Sequence, residues 1–110
     1  MTNPSAEPVV ELDQAHHRYT ITVGGQVAGF TRFFDHDRQR VFFHTEIGEE
    51  YGGQGLGSVL VAGALDHVRA AGLRVVPICP FVKRYVERHH QYEDLVDPVT
   101  PALLARVGGA

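Results

Sequence analysis

The chain has 110 residues, enough for one domain with one hydrophobic core. Apolar residues make up 44%, no run of them approaches the length of a bilayer span, and the single cysteine, Cys79, excludes an internal disulfide and a multi-cysteine zinc site. A net charge of −3 supplies no general basic field for nucleic acid, so neither a nucleic-acid nor a membrane partner is expected.

Residues 1–8 read as a flexible polar leader without the apolar stretch of a signal peptide, which makes a cytoplasmic location the expectation. Val9–Leu12 is a short apolar segment suited to an edge strand. Arg18–Val23 alternates Tyr19, Ile21 and Val23 against polar neighbours, the period of a strand. Gly24-Gly25 is a two-residue hairpin signal, after which Gln26–Phe34 returns as a strand. Asp35-His36-Asp37 reads as the next turn and Arg38–Ile47 as the next strand, giving an antiparallel meander. The period then changes. Leu56, Leu60, Val61, Ala64, Leu65 and Val68 form one buried stripe of a helix over Gly55–Ala71, with Gly72 as its stop. Leu73–Ile78 is a nearly continuous apolar run, as in a central strand buried on both faces, so strand, helix and strand form a parallel crossover. Pro80 suits the first turn of another helix, whose apolar side is Phe81, Val82, Tyr85 and Val86. The expected domain covers residues 9–96. Residues 97–110 are a tail broken by Pro98 and Pro101, with room for a short helix over Pro101–Val107.

The glycine-rich segment Gly52-Gly53-Gln54-Gly55-Leu56-Gly57-Ser58 lies between a strand and an amphipathic helix. The first amides of a helix have no intrahelical partner, and the helix dipole places partial positive charge there. Glycine lets the main chain take positive φ and approach an anion closely. Together these features make a phosphate site. A P-loop would need a lysine after Gly57, and the spacing also misses the dinucleotide pattern G-x-G-x-x-G.

This segment resembles motif A of the GNAT superfamily, the acyl-CoA-dependent N-acetyltransferases, with pattern [QR]-x-x-G-x-[GA]. Gly55 and Gly57 match the small positions, while Gly52 stands where the family has Gln or Arg. With His44-Thr45-Glu46-Ile47, Cys79-Pro80-Phe81-Val82 and Tyr85-Val86-Glu87-Arg88-His89, the chain is similar to the small YjdJ-type members over roughly residues 16–96. The resemblance implies an α+β GNAT-like fold: a meander leading through a β-α-β crossover to a mixed central sheet with flanking helices. It also exposes a reduction. Larger members place two helices between their first two strands, whereas here Gly24-Gly25 is expected to join those strands directly, and the chain is too short for the final strand pair.

The activity implied is acetyl transfer from acetyl-CoA to an amine, with Gly52, Gly53, Gln54, Gly55, Leu56, Gly57 and Ser58 cradling the pyrophosphate. Backbone amides around Thr45 and Ile47 would bind the acetyl oxygen. A lysine-type amine, pKa about 10.4, must lose a proton before it attacks. His44 and Glu46 share one strand face by its period of two, and either is a candidate base. Cys79 stands near the N-cap of the second helix, where it is either a proton donor or acyl carrier, or a small buried hydrophobe. Tyr85 is either core or the donor to the leaving thiolate, with Val86 the alternative in that register. The alternative overall is a non-catalytic acyl-CoA-binding module. The acceptor is unknown; a protein or peptide would suit so small an acceptor side. His16-His17, Asp35-His36-Asp37 and His89-His90 lack a four-ligand spacing, so no metal is expected. Arg32, Arg38 and Arg40 read as a solvated strand face or as attractors of an acidic acceptor or CoA phosphate, and Lys83, Arg84 and Arg88 as helix-surface charge or holders of the CoA 3′-phosphate.

Overall fold

A computed structural model describes residues 7–108, so most of the leader lies outside the described residues. Strands β1 (Val9–Asp13), β2 (Arg18–Val23), β3 (Gln26–His36) and β4 (Gln39–Ile47) form an antiparallel meander. Helix α1 (Leu56–Ala70) then crosses over to β5 (Arg74–Pro77), which pairs with β4 in parallel. Helix α2 (Pro80–Arg88), a 3-10 segment (His90–Leu95) and helix α3 (Pro101–Gly108) complete the chain. The result is a five-stranded mixed sheet in the order β1-β2-β3-β4-β5 with flanking helices, the α+β arrangement expected from the sequence.

Local chemistry accounts for the punctuation. Gly24 and Gly25 take φ of 58° and 82°, as a two-residue β2–β3 hairpin of primed type requires. Gly72, at φ 73°, ends α1. Its N–H reaches the carbonyl of Arg69, and that of Leu73 reaches Val68, so the last helical carbonyls are satisfied.

Two corrections concern the meander. The first two strands are β1 and β2, and they are joined by a 3-10 turn (Gln14–His16), not by Gly24-Gly25. No α-helix precedes α1 among the described residues, so the reduction holds with a different connection. The Asp35-His36-Asp37 turn is displaced: β3 continues through His36, and Asp37-Arg38 makes the bend with Asp37 at φ 55°. Asp35 instead pairs across the ladder with Arg40.

The core occupies the sheet face covered by α1 and α2. The whole predicted stripe of α1, Leu56 to Val68, is buried there, against Tyr19, Ile21, Phe33 and Phe42. Truncating a residue such as Leu60 would cost about 2–5 kcal/mol. Leu103 of α3 packs with Val41 and Val76 on the opposite face.

Arg32 and Arg38 are exposed as expected, but Arg40 does not belong to a solvated arginine face. It is 5% exposed and binds both carboxylate oxygens of Asp35 at 2.8 and 2.9 Å. Its third contact donates to the Tyr19 hydroxyl at 2.8 Å, which lies 2.7 Å from Nδ1 of His67. Guanidinium nitrogens only donate, so the phenolic proton is left for His67, whose Nδ1 accepts. Burial raises the Tyr19 pKa despite the neighbouring cation. A buried charge is tolerated because each of the three guanidinium nitrogens has a partner and one of those partners is a carboxylate.

Candidate active site

The site begins where β4 and β5 part. Their pairing ends at Phe42 and Pro77, and the amides of Ile78 and Cys79 both donate to the Phe42 carbonyl, at 3.0 and 2.9 Å. Beyond that point the chain turns into α2, while β4 runs on to Ile47 paired only with β3. A register shift opposite Arg32 and Phe33 inserts Phe43 as an extra residue, and such a bulge bends its strand. The two strands therefore form an open fork.

Thr45 and Cys79 hold the fork's mouth. Thr45 Oγ1 lies 3.2 Å from Cys79 Sγ and 2.9 Å from Thr31 Oγ1. Cys79 is the N-cap residue of α2 and only 4% exposed, and it offers no side-chain cap to the helix. His44 and Glu46 project on the other face of β4. Their side chains pair, Nε2 of His44 to Oε2 of Glu46 at 2.7 Å, and both are about half exposed. An ionised carboxylate only accepts, so Nε2 carries a proton, and in the neutral imidazole Nδ1 is the nitrogen with the free lone pair.

The glycine-rich segment lies beside the end of β4. A 3-10 turn (Glu49–Tyr51) leads into it, Gly53 and Gly55 take φ of 80° and 72°, and Gly55 is the N-cap of α1. No side chain caps this helix. Among the described residues the amides of Gly53 through Ser58 find no protein acceptor; the next, Val59, bonds to the Gly55 carbonyl. This is the cradle an anion requires. The carboxylates of Glu49 and Glu50 are exposed just before the turn, so an anion there would meet main-chain amides and no net positive side-chain charge. A concavity of about 270 Å³ follows the turn, walled by Ile47, Tyr51 and Phe81.

A second concavity of about 140 Å³ shares Ser58 and Phe81 with the first and is lined further by Arg84, Tyr85, Arg88 and His89. Together they form one groove from the turn along α2. Tyr85 stacks on His89 with ring centroids 3.8 Å apart, and Nδ1 of His89 donates to the Tyr85 carbonyl at 2.8 Å. Burial, and secondarily the charge of Asp66, raises the Tyr85 pKa. Lys83 faces elsewhere, towards Pro77 and Val99.

Of the sequence-predicted residues, Thr45, Ile47 and Cys79 gather at the fork, Gly52 through Ser58 border it, and Tyr85 lines the groove. His44 and Glu46 form a pair of their own across the strand. Phe81, predicted as part of the helix's apolar side, is 38% exposed and lies over Gly57 instead of in the core. His89 and Phe81 were not singled out for the groove. Their spacing of four residues either side of Tyr85, Phe81 on α2 and His89 at its C-terminal end, was the available signal.

The family model described as GCN5-related N-acetyl-transferase matches residues 18–95. A comparison with curated proteins gives no match. Among solved structures, the NMR structure of a GCN5-like protein from Staphylococcus aureus aligns with a TM-score of 0.64 at 21% identity, covering 90% of this chain and 95% of that one. The ribosomal-protein-S18-alanine N-acetyltransferase of Escherichia coli aligns at TM-score 0.52 and 20% identity, over 58% of this chain and 42% of that one. Ard1 of Thermoplasma volcanium aligns at 0.50 and 23%, over 57% and 44%. These likenesses are of fold. With the family match over most of the chain, the protein belongs to the GCN5-related N-acetyltransferase family.

Proposed function

We propose that this chain is a small YjdJ-type, cytoplasmic N-acetyltransferase that moves an acetyl group from acetyl-CoA to an amine. The observation that carries the reading is the run of unpartnered amides from Gly53 to Ser58 at the mouth of the fork. The residues present fit the cosubstrate: two left-handed glycines shape the turn, and Arg84 and Arg88 stand along the adjoining groove for further phosphate.

Acetyl-CoA supplies an activated acyl carbon, at which the C–N bond forms while the C–S bond breaks and the thiolate departs. Main-chain amides of Thr45 and Ile47, on the stretch of β4 that β5 leaves uncovered, are suited to hold the acetyl oxygen. His44 takes the amine proton on Nδ1, and Glu46 keeps the imidazole oriented and offsets the charge it gains. That proton finally returns to the thiolate. A thiol has pKa about 8.5 and Tyr85 is raised above about 10, so full donation by Tyr85 is uphill and its role is a hydrogen bond to the departing sulfur. Burial and the Thr45 contact support Cys79 as a positioning residue for the fork rather than an acyl carrier.

One observation favours a second reading. Gly52 provides no side chain to the cradle, and His44 and Glu46 stand half exposed with no wall over them, as in a non-catalytic acyl-CoA-binding module. Calorimetry with acetyl-CoA, followed by thiol release with a panel of small amines and peptides, separates the two. Binding with amine-dependent release supports the enzyme. Binding without release for any amine supports the module.

A further inference from the structure

The face of the sheet bearing His44 and Glu46 is covered by α3 over Val41, Val76 and Phe34, and the stretch around His44 and Glu46 is a charged, aromatic surface. In the β3–β4 ladder, Arg32 is the direct partner of His44, and Phe30 the direct partner of Glu46. The Phe30 and His44 rings lie 6.2 Å apart. The Arg32 guanidinium lies 5.6 Å from the centre of the Phe43 ring, and that of Arg18 lies 5.3 Å over Phe30. A concavity of about 380 Å³ opens beside them, lined by Ala15, His16, His17, Arg18, Phe30 and Arg32. No carboxylate lines it. The nearby Asp13 is engaged by His16 at 2.9 Å and Arg18 at 3.1 Å. Arg32 is exposed and makes no ion pair or side-chain hydrogen bond among the described residues.

A cation held beside the proposed base has consequences. Arg32 repels an amine that carries only positive charge, and the nearby carboxylate of Glu46 is engaged by His44 at 2.7 Å. Arg32 favours an amine that also carries negative charge. We infer that the acceptor is a small amine bearing an anionic group, a carboxylate or a phosphate, which Arg32 binds while His44 receives the amine proton. The inference rests on the acetyltransferase reading. Directly opposed side chains on neighbouring strands start about 5 Å apart, so anion and amine are separated by only a few bonds, as in an amino acid or an aminoalkyl phosphate. The concavity is within the usual size range of small-molecule sites, roughly 300–1,000 Å³. Phe30, which lines the concavity beside Arg32 and stands 6.2 Å from the His44 ring, supplies the apolar floor for the linking carbons. The bound anion also offsets the charge His44 acquires as it takes the proton.

The test compares β-alanine with its amide, and 2-aminoethyl phosphate with ethanolamine, in wild type, Arg32→Gln and Arg32→Lys. The anionic member of at least one pair is expected to show about ten-fold higher kcat/KM, as a charge-assisted contact supplies. Arg32→Gln should raise KM for that member by a similar factor and for its neutral partner by much less, and Arg32→Lys should recover part of the loss. Which pair responds identifies the anion. Equal rates within both pairs, or an equal loss for charged and neutral amines in Arg32→Gln, would overturn the inference even with acetyl transfer intact. NMR of the Arg32 Nε–H and the His44 ring, with CoA present, separates the two claims. Shifts on adding the anionic amine but not its neutral partner, with no turnover, would keep the anion site and remove the enzyme reading. Absence of such shifts would remove the anion site whatever the turnover.

Discussion

The ring of Phe81 occupies the space into which Gly57 would project a side chain: a β-carbon there would fall 2.5 Å from Phe81 Cζ. The contact joins the first turn of α1 to the first turn of α2, and so ties the proposed phosphate cradle to the groove beside it. Gly57→Ala gains helix propensity of about 1 kcal/mol and forces an exposed ring aside, so global stability should change little. Acetyl-CoA affinity should fall several-fold, and Phe81→Leu in the same chain should restore part of it. Urea denaturation and calorimetry on the two variants check this; unaltered affinity in Gly57→Ala would mean that Phe81 does not shape the groove.

The His44–Glu46 pair predicts unequal losses. His44→Ala removes the proposed base and should lower kcat by about 10²-fold or more with little change in acetyl-CoA affinity. Glu46→Gln keeps an acceptor oxygen for Nε2 and removes its charge, so its loss should be smaller. An unchanged kcat in both variants would remove both residues from proton transfer.

Cys79→Ala should retain most turnover if the thiol only braces the fork against Thr45. Cys79→Ser, which keeps a hydrogen-bonding group, should stay closer to wild type than Cys79→Ala in both stability and KM for acetyl-CoA. Loss of all turnover in both, together with an acetylated thiol found by mass spectrometry after incubation with acetyl-CoA, would instead make Cys79 the acyl carrier.

Tyr92 anchors the His90–Leu95 segment to α1 by donating to Asp66 at 2.8 Å. Burial, with this bond to Asp66, pushes its pKa up to about 12. An unfolded tyrosine ionises near pH 10, so the folded state holds the phenol proton more tightly. That stabilisation is complete below about pH 10 and is lost as pH rises through about 12. Denaturation midpoints measured from pH 8 upward should therefore fall more steeply for wild type than for Tyr92→Phe. Parallel curves would show that Tyr92 does not govern the alkaline limb.

These features were legible in the sequence to different degrees. The α1 stripe was readable because helix period and burial coincide at every position from Leu56 to Val68. The pairing of His44 with Glu46 followed from the strand's period of two. Arg40 was misread because an arginine on a polar-looking strand is ordinarily exposed, and its partners depend on register. Asp35 meets it across the hairpin, and Tyr19 lies two strands away. The apparent turn at Asp35-His36-Asp37 hid the same pairing. Phe81 shows the limit of periodicity: spacing marks an apolar helix face, yet it does not say whether a ring enters the core or lies over a glycine. The neighbours of His44, Phe30 and Arg32, were fixed by a ladder whose shift at Phe43 no local pattern announces.

The most direct measurement is an amide NMR titration of the uniformly labelled protein with CoA and, separately, with pantetheine, which lacks the pyrophosphate arm. Binding at the head of α1 should move the amides of Gly53 through Ser58 most with CoA and leave them nearly still with pantetheine. Perturbations centred on another part of the surface, or equal responses to both ligands, would contradict the account.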